Sequence, residues 1–284
     1  MHIVKVNGGL GNQMFQYVFA LTLDAKYADA RLDLEWIKKY RAHNGYELDR
    51  LFSVRLPECD AEERRRLGET SDNLLGKVRR RLRLTKSSYY APPSYGYDQA
   101  ALERHGDTYF AGYWQSYKYC TGREDLVRSA FEFCPQLSRR NREILDRAAG
   151  RTLIGIHVRR GDSLKNPMVI DVCDEAYYLH AVEAVISGAS APLVLYFSDD
   201  LQWCRDKLPA PGETLYVDWN AADESYQDMM LMKACDALVI SNSTFSWWGA
   251  WLGGPGRKII APSRWFSRAY ADNEDIVPPE WVRL

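Results

Sequence analysis

The chain has 284 residues, of which 46% are hydrophobic and 26% are charged, a composition that suits one large or two smaller globular domains. Its formal net charge of −1 excludes the overall positive field of a typical nucleic-acid-binding protein, so nucleic acid is not expected as a partner. The six cysteines form no Cys-x-x-Cys pair, which favours reduced thiols over a zinc site or a disulfide framework.

The first residues have the pattern of a βαβ unit. Residues 2–6 predict a strand, and residues 7–11 form a glycine-rich turn. Apolar residues at helical spacing then predict a helix over residues 12–27, and a strand is predicted over residues 31–36. This opening lacks the pattern of a signal peptide, and no stretch approaches the ~18 apolar residues of a membrane-spanning helix. We therefore expect a cytoplasmic protein.

An arginine-rich segment with few apolar residues follows over residues 60–90. Within it, residues 76–88 carry six cations and no acidic residue. Such a run is typical of a solvated helical hairpin or loop. The alternative interpretation is a basic patch that makes peripheral contact with anionic lipid headgroups, or with a phosphorylated lipid carrier, at the inner membrane face.

The second half of the chain repeats the α/β pattern more strongly. Residues 124–149 predict a helix, and a strand begins just after Gly150, so we place a boundary there between domains 1–150 and 151–284. The elements predicted beyond it are strands over 153–158, 193–197, 237–240 and 258–261 and helices over 175–186, 225–234 and 247–252. Ligands bind at the carboxyl ends of parallel strands, so the polar residues that follow these strands are expected to line one crevice.

The motif with the clearest chemistry is His-Val-Arg-Arg-Gly-Asp over residues 157–162, at the end of a predicted strand. Arg159 and Arg160 can each match phosphate oxygens bidentately and stay charged at any working pH. Asp162 is close enough along the chain to orient one guanidinium, and His157 can donate to a phosphate or a sugar hydroxyl. The alternative is a surface ion pair at a strand end.

The glycine-rich turn allows two interpretations. Gly9 and Gly11 would let the backbone approach a ligand, and the following helix N-terminus favours an anion. A dinucleotide-binding turn would need a further glycine where Met14 stands. Asp33 lies near the position of a ribose-binding acid, so a nicotinamide-dependent oxidoreductase stays open as an alternative.

Other polar residues follow or flank the later strands. Ser243 and Thr244 precede a predicted helix, where they suit either a phosphate or plain helix capping. Asp228 could accept two hydrogen bonds from guanine, although a helical aspartate is usually solvated. Asp199 could contact a ribose or lie in a surface turn.

The nine tryptophans leave a non-catalytic glycan-binding protein open as an alternative function. No Asp-x-Asp occurs, so a metal-assisted reaction is not favoured and arginine would neutralise a leaving diphosphate instead.

In four blocks the sequence resembles the α-1,2-fucosyltransferases of glycosyltransferase family 11. The blocks are residues 8–17 (GGLGNQMFQY), 157–162 (HVRRGD), 241–252 (SNSTFSWWGAWL) and 259–266 (IIAPSRWF). The resemblance implies an α/β, GT-B-like fold of two Rossmann-like domains facing across a cleft, with the acceptor on the first domain. It also implies inverting, metal-independent transfer of L-fucose from GDP-β-L-fucose to the 2-hydroxyl of a galactose in a glycan, with no cofactor. A lipid-linked glycan is one form that this acceptor could take.

The resemblance also suggests roles for individual residues. Arg159 and Arg160 would hold the diphosphate, with His157 beside them, and Asp228 would read guanine. Ser243, Thr244 and Phe245 would line the nucleotide, and Asn12 would face the sugar and the acceptor. The predicted catalytic residues are Arg159, His157, Asp162 and Asn12, and the predicted substrate-binding residues are Arg159, Arg160, Asp228, Ser243, Thr244, Phe245, Gly9, Gly11, Asn12, Gln13 and Asp199.

Overall fold

Two units, Met1–Cys134 and Pro135–Leu284, make up the computed structural model. The structure describes residues 1–39, 43–68, 85–161, 163–271 and 273–284. No helix in these described ranges is long and apolar enough to cross a membrane.

The first unit is built on a parallel four-stranded sheet. Its strands are β1 (His2–Lys5), β2 (Ala30–Asp33), β3 (Tyr89–Tyr90) and β4 (Thr108–Phe110), in the spatial order β2-β1-β4-β3. Its helices are α1 (Leu10–Tyr27), α2 (Glu35–Lys39), α3 (Leu48–Leu51), α4 (Ala61–Leu67), α5 (Gln99–Leu102) and α6 (Glu124–Ala130), with a 3₁₀ turn at Tyr117–Tyr119. Strand β2 lies on one side of β1, and the later strands β4 and β3 lie on its other side. The strand order therefore reverses between β1 and β4.

Helix α1 covers this sheet with a buried apolar face. Met14, Phe15, Val18 and Phe19 are all fully buried. Phe19 stacks on Trp114 with ring centroids 3.8 Å apart, which ties the helix to the chain after β4.

The second unit contains a parallel six-stranded sheet. Its strands are β5 (Leu153–Val158), β6 (Leu193–Ser198), β7 (Glu213–Val217), β8 (Ala237–Val239), β9 (Lys258–Ala261) and β10 (Val282–Arg283), in the order β10-β9-β8-β5-β6-β7. Its helices are α7 (Arg139–Arg147), α8 (Glu175–Ile186), α9 (Leu201–Lys207), α10 (Tyr226–Ala234) and α11 (Thr244–Leu252), with 3₁₀ turns at Ser163–Lys165 and Ala222–Glu224. The strand order reverses between β5 and β8, and in open α/β sheets that reversal is where ligands bind.

Most of the predicted elements are confirmed, and two are wrong. The strand predicted over residues 31–36 ends at Asp33, whose carboxylate accepts the backbone N–H of Glu35 at 3.0 Å and starts α2. The single helix predicted over residues 124–149 is two helices, because the chain between them pairs Phe133 with Phe52 in an isolated bridge.

The division between the units lies before the predicted boundary at residue 150. It falls between Cys134 and Pro135, so α7 belongs to the second unit. Helix α7 packs on the second unit because its Asn141 is fully buried and donates a hydrogen bond to the amide oxygen of Gln227, on α10, at 2.8 Å.

Candidate functional site

The reversal point of the second sheet brings together residues that follow β5 and β8. His157 lies at the end of β5, and its Nδ1 is 2.9 Å from the hydroxyl oxygen of Ser241, just after β8. The ring of Phe245, in the first turn of α11, lies 6.1 Å from the His157 ring between centroids. The sequence motif at 157–162 and the start of α11 therefore meet at one sheet edge, as expected from parallel strands.

His157 is held in its neutral form. Burial, and then the positive charge of Arg159, lower the pKa of His157 to about 3. A group with so low a pKa is a poor general base near neutral pH, where catalytic bases work best with a pKa close to the operating pH. The geometry instead suits His157 as an uncharged hydrogen-bonding group beside the Arg159 guanidinium.

The two arginines of the motif have different surroundings. Arg160 donates from Nε to an Asp200 carboxylate oxygen at 3.1 Å, and its guanidinium carbon lies 4.2 Å from the centroid of the Trp203 ring. Its side chain is 23% exposed. The Arg159 backbone N–H approaches the Tyr178 hydroxyl at 3.4 Å. Arg160 therefore already interacts with Asp200 and Trp203 of its own unit. The prediction that both arginines hold a diphosphate stays a prediction.

Asp199 has a structural role that its position after β6 did not reveal. Its two carboxylate oxygens accept the backbone N–H groups of Arg160 and Gly161 at 2.8 and 2.9 Å. A Cβ on Gly161 would lie 2.8 Å from the same carboxylate, so this close approach requires glycine. Asp199 thus fixes the turn after β5, and its contact with a ribose stays a prediction. Asp162 lies outside the described residues.

The residues predicted to line the nucleotide differ in their exposure to solvent. Ser243 is 2% exposed and caps α11 by accepting the Phe245 N–H at 3.3 Å. Thr244 and Phe245 are partly exposed at the first turn of that helix. Trp247 and Trp248 are fully buried, so these tryptophans of the block are core residues.

Asp228 belongs to a polar network on α10. Its carboxylate accepts a hydrogen bond from the Asn220 amide at 2.8 Å, and Asn220 in turn accepts from Asn141 at 3.1 Å. Burial raises the pKa of Asp228 to about 7, and the hydrogen bond from Asn220 opposes that rise. A carboxylate that is this desolvated and bonded to one amide has acceptor capacity left for the N–H groups of a ligand.

The glycine-rich turn of the first unit is braced by glutamine side chains. Gln13 is fully buried, donates to the carbonyls of Gly8 at 3.0 Å and Gly45 at 2.8 Å, and accepts the Glu47 N–H at 3.0 Å. Its amide therefore bonds to the protein itself, and the substrate contact predicted for Gln13 stays a prediction. Asn12 accepts from Gln115 at 2.8 Å.

The predicted glycines of this turn begin α1. Gly9 is the N-cap residue, and it has no side chain to cap the helix. Gly11 is buried in the first turn. Their exposure to a sugar or an acceptor stays a prediction.

Two positioning residues, Asn220 and Gln115, were missed by the sequence reasoning. Ser241, Asp200, Asn220 and Gln115 each hold a predicted site residue by a side-chain hydrogen bond. Only Ser241 and Asp200 had a sequence signal, because each follows a predicted strand. Across the described ranges no group of three or more His, Cys, Asp or Glu side chains could hold a metal ion, and the metal-independent reaction stays a prediction.

Among solved structures, the chain is similar to the α-1,6-fucosyltransferase NodZ from Bradyrhizobium, in a crystal soaked with GDP-fucose. The TM-score is 0.52 at 13% identity, over 88% of this chain and 91% of that chain. At this identity the likeness shows the fold alone. It confirms the predicted α/β, GT-B-like fold with two Rossmann-like units.

The relatives by sequence are glycosyltransferases. The alpha-1,2-colitosyltransferase of Escherichia coli is 26% identical over 298 residues, which cover 99% of this chain and 98% of the relative. Galactoside alpha-(1,2)-fucosyltransferase 1 of Saimiri boliviensis boliviensis is 26% identical over 175 residues, which cover 56% of this chain and 48% of the relative. The family model described as Glycosyl transferase family 11 matches residues 82–284. Since this match takes in the whole second unit and part of the first, the chain belongs to glycosyl transferase family 11.

Proposed function

We propose that the chain is an α-1,2-fucosyltransferase. It transfers L-fucose from GDP-β-L-fucose to the 2-hydroxyl of a galactose in a glycan, with inversion at the anomeric carbon and without a metal ion. Membership of the family supports glycosyl transfer, and the named activity of the Saimiri relative supports the linkage and the galactoside acceptor.

One observation carries the proposal. The reversal point of the second sheet holds a positively charged Arg159, a neutral His157 and the N-terminus of α11 at one edge. A cation together with backbone N–H groups at a helix start is the chemistry that binds a diphosphate. This is also the place in an open α/β sheet where nucleotides bind.

In the proposed reaction, Arg159 stabilises the negative charge that develops on the β-phosphate as the bond from C1 to the phosphate oxygen breaks. The acceptor oxygen attacks C1 from the opposite face and loses its proton. Asp228 accepts hydrogen bonds from guanine. The low pKa of His157 argues against it as the base that takes the proton, and Asp162 remains a candidate outside the described residues.

A second donor is favoured by a specific finding. The colitosyltransferase aligns along nearly the full length of both chains, whereas the fucosyltransferase relative aligns over about half. Colitose is L-fucose without its 3-hydroxyl, so the two donors differ by one polar group. A site built to hydrogen-bond that hydroxyl would reject the deoxy donor strongly, and a site without such a bond would accept both.

The direct test incubates the enzyme with GDP-fucose or GDP-colitose and a galactoside, in the presence and absence of EDTA. The proposal expects GDP release that depends on the acceptor, is unaffected by EDTA, and gives an α-1,2 linkage by NMR of the product. Transfer from GDP-colitose alone would replace fucose by colitose in the proposal. No transfer from either donor would contradict it.

A lipid-linked acceptor and peripheral membrane contact are part of the proposal through the basic segment at 76–88. Most of that segment lies outside the described residues. Lys86, within them, donates to the carbonyls of Arg65 and Gly68 at 2.5 and 3.0 Å, so one of the six cations is used inside the first unit. Co-sedimentation with vesicles of anionic lipid at low salt tests the contact, and an absence of binding there would remove it.

A further inference from the structure

A cavity of about 410 Å³ opens in the first unit, and none of the residues that line it is assigned to the donor. It is lined by Lys5 and Asn7 from the end of β1, by Tyr95 from the chain after β3, and by Tyr113 and Trp114 from the chain after β4. It therefore lies at the carboxyl edge of the first sheet, at the reversal between β1 and β4. Its volume falls in the range of about 300–1,000 Å³ that small-molecule sites occupy.

The walls of this cavity are held by buried hydrogen bonds. Gln16 is fully buried, and its amide nitrogen donates to the Asn7 side chain and to the Gly112 carbonyl, both at 3.2 Å. Its amide oxygen accepts the Asn7 backbone N–H at 2.9 Å. One glutamine thus fixes the glycine-rich turn against the chain after β4, so that two walls of the cavity are set before any ligand binds.

Two tyrosines give the cavity aromatic surface that is open to solvent. Tyr95 is 37% exposed and Tyr113 is 42% exposed, unlike the tyrosines buried in the core of this unit. Burial of its hydroxyl end, and then the nearby Tyr95, raise the pKa of Tyr113, which indicates that the two side chains are neighbours. Tyrosine combines an apolar ring face with a polar hydroxyl, which suits the mixed faces of a sugar ring.

Trp114 carries two unusual features at the cavity wall. The residue is 2% exposed, and its buried indole Nε1–H has no hydrogen-bond acceptor among the described residues. Its backbone adopts a left-handed conformation with φ 56°, which is rare for a bulky residue. Buried donors without partners and strained backbone are both uncommon and concentrate at functional sites.

The charges of the cavity limit its ligand. Lys5 is the only charged side chain among the described residues that line it. A single ammonium group with three donors, two tyrosine hydroxyls and an asparagine amide favour a hydroxyl-rich, uncharged or anionic ligand over a cationic one. No arginine is among the described residues that line the cavity, whereas the proposed diphosphate site contains Arg159.

We propose that this cavity binds a saccharide of the acceptor glycan, with Tyr95 and Tyr113 stacking on the sugar and Lys5 donating hydrogen bonds to it. The inference rests on the proposed function, because the donor is assigned to the second unit and the acceptor therefore needs a separate surface. Tyr95, Tyr113 and Lys5 are then specificity-determining residues for the acceptor.

The test uses Tyr95→Ala and Tyr113→Ala in the full chain, with Tyr270→Ala as the matched control, since Tyr270 is 36% exposed and lies in the second unit. N-acetyllactosamine and methyl β-galactoside serve as acceptors. Each cavity variant is expected to raise the acceptor KM at least tenfold while acceptor-free hydrolysis of GDP-fucose and the Kd of GDP change less than twofold. Tyr113→Phe, which keeps the ring, should retain most of the acceptor affinity even if an alanine variant proves unstable.

Saturation-transfer NMR with the same galactosides, in the absence of nucleotide, separates this inference from the proposed function. Binding by the parent that is lost in the tyrosine variants supports the saccharide site even if GDP-fucose is not the donor. An acceptor KM within twofold of the parent in both alanine variants, or galactoside binding that survives both, would overturn it.

Discussion

At the scale of single residues, the chemistry of the proposed donor site depends on one charge more than on any other. Arg159 lies beside a histidine whose pKa it lowers, whereas Arg160 is paired with Asp200 and stacked on Trp203. We therefore propose different roles for the two arginines, which are adjacent in the sequence motif. In the proposed reaction Arg159 acts on the leaving diphosphate, whereas the bond from Arg160 to Asp200 links the chain after β5 to the chain after β6.

Arg159→Ala is expected to lower kcat for transfer by roughly 10²–10³-fold, because a preorganised donor to the developing negative charge is lost. Arg159→Lys keeps the charge but loses the planar fork, and it should recover part of this loss. The same alanine substitution removes a positive neighbour, so the pKa of His157 should rise in an NMR titration. Activity of Arg159→Ala within about threefold of the parent would remove Arg159 from the mechanism.

Asp228 is expected to make nucleotide binding depend on pH. With a pKa of about 7, its carboxyl is mostly protonated at pH 6 and mostly ionised at pH 8. Only the ionised form accepts both guanine N–H groups, so the Kd of GDP for the parent should rise about tenfold from pH 8 to pH 6. Asp228→Asn should bind GDP weakly and with no such pH dependence, as measured by calorimetry at both pH values.

The same carboxyl has the opposite effect on folding. Its pKa is raised from 3.8 to about 7, so the folded chain binds this proton more tightly than the unfolded chain, and stability falls as pH rises through that interval. Asp228→Asn should therefore raise Tm more at pH 8 than at pH 4. A Tm gain that is equal at both pH values would contradict the assigned burial of the charge.

The sequence predicts the site residues whose roles follow from their neighbours along the chain. It does not predict those whose hydrogen-bond partners are distant in sequence. The arginine motif was found because two cations at a strand end need an explanation. The hydrogen bond from Gln115 to Asn12 joins residues 103 positions apart, and no local pattern indicates it. The hydrogen bonds of Gln13 escape local patterns for the same reason, since its partners Gly45 and Glu47 lie 32 and 34 positions further along the chain.

At the scale of elements, the turn between β1 and α1 provides a matched pair of glycines. Gly8 has φ 79°, and a Cβ there would lie 2.5 Å from the Asn12 amide nitrogen. Gly9 has φ −75°, and a Cβ there would lie 3.6 Å from the His43 ring, an ordinary contact. The two positions look alike in sequence, and only the structure separates them.

Gly8→Ala should destabilise the first unit by roughly 1–2 kcal/mol, because alanine is strained in the left-handed region and its methyl group displaces Asn12. Gly9→Ala should cost less, roughly 0.5–1 kcal/mol, since alanine is a poorer N-cap than glycine but adds neither left-handed strain nor a clash. Urea unfolding of both variants and the parent measures the difference. Equal losses in the two variants would show that the turn is not held in the observed conformation.

The elements predicted with the right bounds are those whose buried residues follow a regular pattern, either nearly continuous in a strand or along one face of a helix. Leu153–Val158, Glu175–Ile186 and Lys258–Ala261 were predicted with the bounds they have. Strands β3 and β4 were missed because they have only two and three residues, too few for any periodicity to show. They form because β4 pairs in parallel with β1 and β3 pairs in parallel with β4, which is a tertiary effect.

At the scale of the whole molecule, family membership decides between the functions that the sequence left open. The family match gives no support to a nicotinamide-dependent oxidoreductase or to a non-catalytic glycan-binding protein. The early βαβ unit that suggested the oxidoreductase is present, but its turn is braced by Gln13 and Gln16 and leads into a cavity lined by tyrosines. Each unit thus has its own candidate site at the reversal point of its own sheet.

This arrangement predicts that donor and acceptor protect different parts of the chain from amide hydrogen exchange. GDP at about 100 times its Kd adds about 2.7 kcal/mol to the stability of the states that bind it, enough to slow exchange markedly in the surrounding segments. We expect GDP to protect 157–161 and 241–246 in the second unit, and a galactoside to protect 91–96 and 111–114 in the first. ADP, which lacks the guanine N–H donors that we propose Asp228 binds, serves as the control and should protect the second unit less. Protection of the first-unit segments by GDP alone would contradict the division, because the nucleotide would then occupy the cavity that we assign to the acceptor.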